Sequence, residues 1–128
     1  MILDTSAVIA VLCREPGWEE LLRKIEGAAT LGIGAPTVGE ANIVATSKRG
    51  AEGPARVARF LEEARAVVVP FGADHLTYFN DAFRRFGKGR HPAALNIGDC
   101  FTYAVAKGAG MPVLCVGDDF PQTDLKLA

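Results

Sequence analysis

The sequence predicts an α/β domain. It reads as a mainly parallel sheet of about five short strands with amphipathic helices over both faces, a three-layer α/β/α sandwich. Two observations carry this. Short apolar runs alternate with longer segments of helical periodicity, the pattern of strands joined by crossover helices, and such crossovers are right-handed. The chain has 128 residues, of which 49% are hydrophobic and 23% charged, at a net charge of −1. That is the size of one domain, residues 1–128, with a core of its own.

In chain order, Met1-Ile2-Leu3 is long enough for a short buried strand, and Asp4 stops it. Thr5-Ser6 opens a helix whose run from Ser6 to Cys13 is apolar on nearly every side, as suits a helix packed inside; Glu15-Pro16-Gly17 breaks it. Trp18, Leu21, Leu22 and Ile25 fall at i, i+3, i+4 and i+7, one face of an amphipathic helix, with Gly27 as its C-terminal cap. Residues 30–34 form the second strand, and Pro36 sits at the start of a helix reaching about Ser47. After the break at Gly50–Pro54, residues 55–66 repeat the amphipathic pattern with Val57, Phe60, Leu61 and Ala64 inward. Val67-Val68-Val69 is a buried strand ended by Pro70, and residues 73–86 form a helix with Leu76, Phe79, Ala82, Phe83 and Phe86 on one face. A loop from Gly87 to Pro92 leads to a helix from Asn96 to about Lys107, stopped by Gly108-Ala109-Gly110. Val113 to Val116 is the last strong strand; Gly117–Pro121 turns the chain, and Asp124–Leu127 adds a short final strand.

The composition excludes several classes. A net charge of −1 does not fit a wholly basic nucleic-acid-coating protein, so any such contact must come from a local patch. Cys13, Cys100 and Cys115 are far apart with no C-x-x-C spacing, and His75 and His91 lack ligand spacing; a disulfide frame and a zinc site are both disfavoured. No run approaches the ~20 apolar residues of a membrane span. The apolar start has no basic residue before Arg14 and is interrupted by Asp4, unlike a secretory signal. A cytoplasmic location, away from membranes, is expected.

The informative feature is where the carboxylates fall. In an open parallel sheet, ligands bind outside the carboxyl ends of the strands. Asp4 follows the first strand, Glu40 lies in the first turns of the helix after the second, Asp99 in the first turn of the helix before the last strong strand, and Asp118 and Asp119 directly after that strand. Each alone reads equally well as a helix cap or turn residue, because acidic residues are favoured at helix N-termini by about 0.3–1 kcal/mol. Together, four segments bring carboxylates to one edge. Crowded carboxylates repel and raise one another's pKa. A hard divalent cation, Mg²⁺ or Mn²⁺, resolves that conflict, and such a site suits phosphodiester hydrolysis, where the ion acidifies water and offsets charge on the phosphate oxygens. Thr5 and Ser6 either orient water or phosphate there or cap the first helix. A phosphoryl-transfer domain of receiver or phosphatase type is disfavoured: Asp4-Thr5-Ser6 lacks D-x-D-x-T spacing, and no Lys stands at the last strand end.

Four segments carry a resemblance: M-I-L-D-T-S-A at residues 1–7, P-T-V-G-E-A-N around Glu40, F-R-R-F-G-K-G-R-H-P-A-A-L-N-I-G-D-C-F-T-Y-A-V-A-K around Asp99, and V-L-C-V-G-D-D-F-P-Q-T-D-L at the tail. Across essentially its whole length the chain resembles the PIN-domain ribonucleases, in particular the VapC-type toxins of type II toxin–antitoxin pairs. The resemblance implies a Mg²⁺- or Mn²⁺-dependent endoribonuclease. Its acidic positions fall on Asp4, Glu40, Asp99 and one residue of the Gly117-Asp118-Asp119-Phe120 turn, Asp118 by preference and Asp119 as the alternative. It also implies a homodimer blocked by a cognate VapB-type antitoxin, as a heterotetramer or larger. Cys115-Val116 stands where Phe-Lys often precedes this glycine, which removes one basic residue and leaves the carboxylates intact.

Arg84, Arg85, Lys88 and Arg90 lead towards the Asp99 helix with no acid between Asp81 and Asp99. That run is a candidate contact for RNA phosphates or for the antitoxin; the alternative is a solvated loop. A non-cleaving PIN-like module that holds RNA or a partner is the competing function, and the full carboxylate set argues against it.

Overall fold

Every strand of this protein is an apolar run of two or three residues, cut short by a residue that starts a helix or turn. The computed structural model describes residues 1–128. Its elements are β1 (Ile2–Leu3), α1 (Thr5–Cys13), α2 (Trp18–Glu26), β2 (Gly32–Gly34), α3 (Ala35–Arg49), α4 (Gly53–Glu63), β3 (Val67–Val69), α5 (Ala73–Phe86), α6 (Ile97–Ala109) and β4 (Val113–Leu114), with 3-10 turns at Gly50–Glu52 and Phe120–Gln122. All strands pair in parallel, in the order β3-β2-β1-β4.

Side chains alternate across such a sheet, and this divides the core. Leu3, Ile33 and Leu114 point to the face covered by α1 to α4. Ile2 and Val113 point the other way, against α5 and α6. The chain steps from β1 to β2 to β3 with its helices on the first face. It then returns across the sheet through α5 and α6 to β4. The strand order reverses between β1 and β4, and that is where an open parallel sheet forms its ligand crevice.

Three expectations are corrected. The sheet has four strands, not about five. The tail touches β4 through one bridge, in which Val113 N–H donates to Lys126 O (2.9 Å) and Ala128 N–H to Val113 O (2.9 Å). β4 ends at Leu114 and offers the tail only one pairing residue. β3 is not buried: Val67 is 60% exposed and Val68 46%, because it is an edge strand with one neighbour. On α5, Phe79, Ala82 and Phe86 pack inward while Leu76 and Phe83 stay exposed. On a helical wheel those two lie at one margin of the apolar stripe, and α6 covers the other.

α3 and α4 form a close antiparallel pair because Gly53 opens α4. A Cβ there would lie 2.5 Å from Ala45 C and Thr46 N. These are backbone atoms that no rotamer change can move. Gly53→Ala is therefore expected to destabilise the fold by about 3 kcal/mol, lowering Tm by roughly 10 °C. A thermal melt unchanged from wild type would show that the helices can part at no cost.

Candidate functional site

Asp4 lies at the crevice because β1 pairs as far as its own N–H, which donates to Leu114 O (3.0 Å). The next residue begins α1. One carboxylate oxygen, Oδ2, accepts from Ser6 N–H (2.9 Å) and from Ser6 Oγ (2.6 Å), so Asp4 does cap the helix. The other, Oδ1, accepts from Thr102 Oγ1 (2.9 Å), on α6. Ser6 Oγ accepts in turn from Val116 N–H (2.9 Å) and ties the start of α1 to the chain leaving β4. Asp4 is only 5% exposed. A buried carboxylate fixed at both oxygens by donors from two helices is held in one orientation.

The hydroxyl behind it was missed in the sequence, although a spacing could have shown it. Asp99 and Thr102 are three apart on α6, and Thr37 and Glu40 three apart on α3, so each pair shares a helix face. The two faces meet at Thr37 Oγ1 and Thr102 Oγ1, 3.2 Å apart in the interior. Because Thr102 gives its proton to Asp4, Thr37 must donate to Thr102. This contact fixes how α3 and α6 present Glu40 and Asp99. Asp99 itself closes a capping box on α6: its Oδ2 accepts from Asn96 N–H (2.9 Å), and Asn96 Oδ1 accepts from Asp99 N–H (2.9 Å).

The electrostatics report the crowding. Asp99, half-buried, is pushed up to about 6 from 3.8, first by burial and then, against the Asn96 N–H bond, by the charges of Asp4, Asp119 and Glu40. Glu40 is raised by burial and by Asp4, opposed by the Thr5 hydroxyl. Thr5 Oγ1 is buried and has no well-aligned hydrogen-bond partner, so its proton is available to that carboxylate. The Cys115 thiol is pushed up to about 11 by burial and by Asp4, Asp119 and Asp99, and stays protonated. The four predicted segments thus share one electrostatic field. In the turn, Asp119 is the residue whose charge reaches Asp99 and Cys115; Asp118, preferred in the sequence, is not among the charges that act on either.

The donor set is all oxygen, with no histidine or thiolate among it, as a hard dication requires. No three acidic, histidine or cysteine side chains stand close enough to hold an ion alone. A hard dication held here would fill its remaining positions with water.

The remaining predicted residues separate into two groups. Thr5 is buried beside Glu40, and Ser6 bonds to Asp4 and Val116. Arg84 pairs with Asp81 (2.6 Å), and Arg85 with Asp81 and Asp124 (3.1 Å each). Asp124 also accepts from Tyr103 Oη (2.7 Å) and Lys107 Nζ (2.9 Å). Burial opposes its ionisation, but the bonds from Lys107, Tyr103 and Arg85 outweigh that and bring it down to about 2. Asp124 therefore clamps the tail to α5 and α6. Lys88 and Arg90 are exposed and form no ion pair; the Arg90 guanidinium lies over the Phe83 ring at 5.1 Å. Their loop is pinched at its base, where Lys88 N–H donates to Leu95 O (3.0 Å) and Leu95 N–H to Phe86 O (2.9 Å), one residue before the Asn96 cap. An apolar hollow lies elsewhere, between α2, α4 and β3 (Leu22, Ile25, Phe60, Val67), and includes none of Asp4, Glu40, Asp99, Asp118 and Asp119. No helix is long and apolar enough to cross a membrane.

A three-layer α/β/α domain whose strand-order reversal is lined by carboxylates from four segments is a well-defined class of architecture. The chain belongs to the PIN domain family, whose sequence model matches residues 1–126. It is 45% identical over 127 residues to ribonuclease VapC36 of Mycobacterium tuberculosis, covering 98% of this chain and 91% of that one. It is 38% identical to the ribonuclease VapC of Mycolicibacterium smegmatis, covering 98% and 97%. Among solved structures, the sarcin–ricin-loop-cleaving toxin VapC20 of M. tuberculosis superposes with a TM-score of 0.79 at 14% identity, over 99% of this chain and 97% of that one. VapBC2 of Rickettsia felis, bound to a promoter DNA fragment, gives 0.75 at 16% identity, over 99% and 96%. At those identities the structural likeness shows the fold.

Proposed function

We propose that this protein is the toxin of a type II toxin–antitoxin pair, a single-domain cytoplasmic endoribonuclease that hydrolyses RNA phosphodiester bonds with Mg²⁺ or Mn²⁺. The observation that carries the reading is the convergence of Asp4, Glu40, Asp99 and Asp119, with Asp99 raised to about 6 chiefly by burial and further by the other three charges. Relatives at 45% and 38% identity that bear the name ribonuclease VapC support it, and VapBC2 of Rickettsia felis and a toxin–antitoxin complex of Klebsiella pneumoniae among its structural neighbours support a VapB-type antitoxin as partner. A homodimer, becoming a heterotetramer or larger with the antitoxin, accompanies this reading.

The ion, when bound, supplies an acidified water and positive charge opposite the phosphate oxygens. The chain's residues do the rest. Asp4 is the rigid member, locked by Ser6 and Thr102. Glu40 and Asp99 are the members whose negative charge is destabilised in the free protein, and with Asp4 they would hold a cation whose charge relieves that repulsion. Lys88 and Arg90, free of ion pairs, contact the RNA backbone, where each neutralised phosphate contributes salt-dependent affinity. Arg84 and Arg85 are held by Asp81 and Asp124 and serve chiefly to fix α5.

The test is cleavage of structured RNA by the purified chain. Cutting is expected with Mg²⁺ or Mn²⁺, none with EDTA, and none when the product of an adjoining antitoxin-type reading frame is added. Cleavage that persists in EDTA would rule out the metal-assisted mechanism. No cleavage with either metal would leave the chain a binding module.

A further inference from the structure

We infer that Gly98 is a positioning residue: its bare Cα is the seat on which the Glu40 carboxylate rests, and this seat sets the distance between Glu40 and Asp99. The inference rests on the proposed metal-assisted cleavage. A Cβ added at Gly98 would overlap Glu40 Oε2 and lie 2.8 Å from both Cδ and Oε1. No other atom contacts that space as closely; the three nearest neighbours all belong to the Glu40 carboxylate.

The backbone gives no reason for glycine at this position. Gly98 is in the first turn of α6, it is buried, and its φ is not positive. Alanine is the better helix former, and the segment has its full capping box without help from residue 98. What remains is the contact across to α3: the space is reserved for a carboxylate. Because Gly98 precedes Asp99 in the chain, the seat brings the Glu40 carboxylate to the same turn of α6 that carries Asp99. Glu40 is in turn one of the charges acting on Asp99. A methyl group at 98 would push the Glu40 carboxylate outward by about an ångström, and misplacement on that scale in a catalytic site costs on the order of 10²-fold.

The experiment compares wild type with Gly98→Ala, Glu40→Asp, Glu40→Gln and the double variant Gly98→Ala/Glu40→Asp. The readouts are cleavage of a stem-loop RNA with a mapped cut site, Mn²⁺ affinity of the metal-free full chain by calorimetry, and metal-free Tm. Gly98→Ala is expected to lower kcat about 10²-fold and to weaken Mn²⁺ binding about 10-fold, as loss of an orienting contact does, while Tm holds or rises. Glu40→Asp withdraws the carboxylate by one methylene, so adding Gly98→Ala to it should cost less than about 3-fold more, the non-additivity of two residues in contact. Wild-type cleavage and Mn²⁺ affinity in Gly98→Ala would overturn the inference, as would an equal cost in the Glu40→Asp background, or a fall in Tm that parallels the lost activity. Glu40→Gln separates the two readings. If it cuts like wild type, the carboxylate assignment fails and the seat with it; if it is inactive while Gly98→Ala is unaffected, the seat alone fails.

Discussion

Asp99→Asn is expected to reduce RNA cleavage by about 10³-fold, roughly 4 kcal/mol of lost transition-state stabilisation, and at the same time to raise the Tm of the metal-free protein. The second effect follows from the sign of the pKa shift. Asp99 is raised to about 6 in the folded chain from 3.8, so the folded state holds the proton more tightly than the unfolded one. The stability linked to that proton is fully present below the unfolded pKa and is lost as pH rises through about 6. At pH 7.5 the charged carboxylate is a burden on the fold. Full conversion of the shift would give about 3 kcal/mol; the group is only half-buried, and solvent screening reduces this to about 1–2 kcal/mol. Asparagine keeps an oxygen to accept the Asn96 N–H and drops the charge. A Tm gain of roughly 3–6 °C follows at pH 7.5 in EDTA, shrinking to about a third of that near pH 4.5 and vanishing only below the unfolded pKa of 3.8. Saturating Mn²⁺ should close or reverse the gap, because the ion stabilises only the chain that binds it. Melts of the two proteins at both pH values decide this. A variant that melts below wild type at pH 7.5 would mean that the Asp99 carboxylate stabilises the fold.

The same competition explains what could be read in the sequence. Asp4, Glu40 and Asp99 were legible because each follows a strand or opens a helix at a place fixed by local pattern, and the parallel topology sends those places to one edge. The choice between Asp118 and Asp119 was not. They lie in an irregular turn between Gly117 and the 3-10 turn at Phe120–Gln122, where no periodicity assigns a side to consecutive residues. Thr102 and Gly98 were hidden for a different reason. Their partners are Asp4 and Glu40, distant in sequence; the spacing of Asp99 and Thr102 marks a shared helix face but not the partner across it, and a glycine inside a helix carries no mark of its contact at all. The strands show the same division. Val67-Val68-Val69 has the composition of a strand whether it is central or at an edge, and only the order β3-β2-β1-β4 exposes it. The tail kept its pairing tendency in one bridge, while Asp124 became the anchor for Arg85, Tyr103 and Lys107.

Asp4 is expected to answer differently from Asp99. Asp4→Asn and Asp4→Ala should both lose cleavage by about 10³-fold, yet differ in stability, with wild type above Asn and Asn above Ala. Asparagine is as good an N-cap as aspartate. With its amide oxygen towards Ser6, it keeps the N–H and hydroxyl donors satisfied, and its NH₂ then faces Thr102. The Thr102 hydroxyl must turn over to accept that bond and donate to Thr37 Oγ1, 3.2 Å away. Charge-assisted bonds become neutral ones, which costs about 1 kcal/mol. Alanine removes the cap and leaves the donors of Ser6 and Thr102 unpaired in a site only 5% exposed, for about 3 kcal/mol in total and a Tm loss of roughly 10 °C. Thermal melts and cleavage rates on the pair therefore separate the two roles that the strand end combines. If Asn restored cleavage as well as most of the stability, Asp4 would be a cap and nothing more. Lost cleavage with a nearly intact fold in Asn, set against the unstable Ala, would show that one oxygen pair serves both: Ser6 and Thr102 fix the carboxylate for the sake of the fold, and the fixed carboxylate is what the site uses.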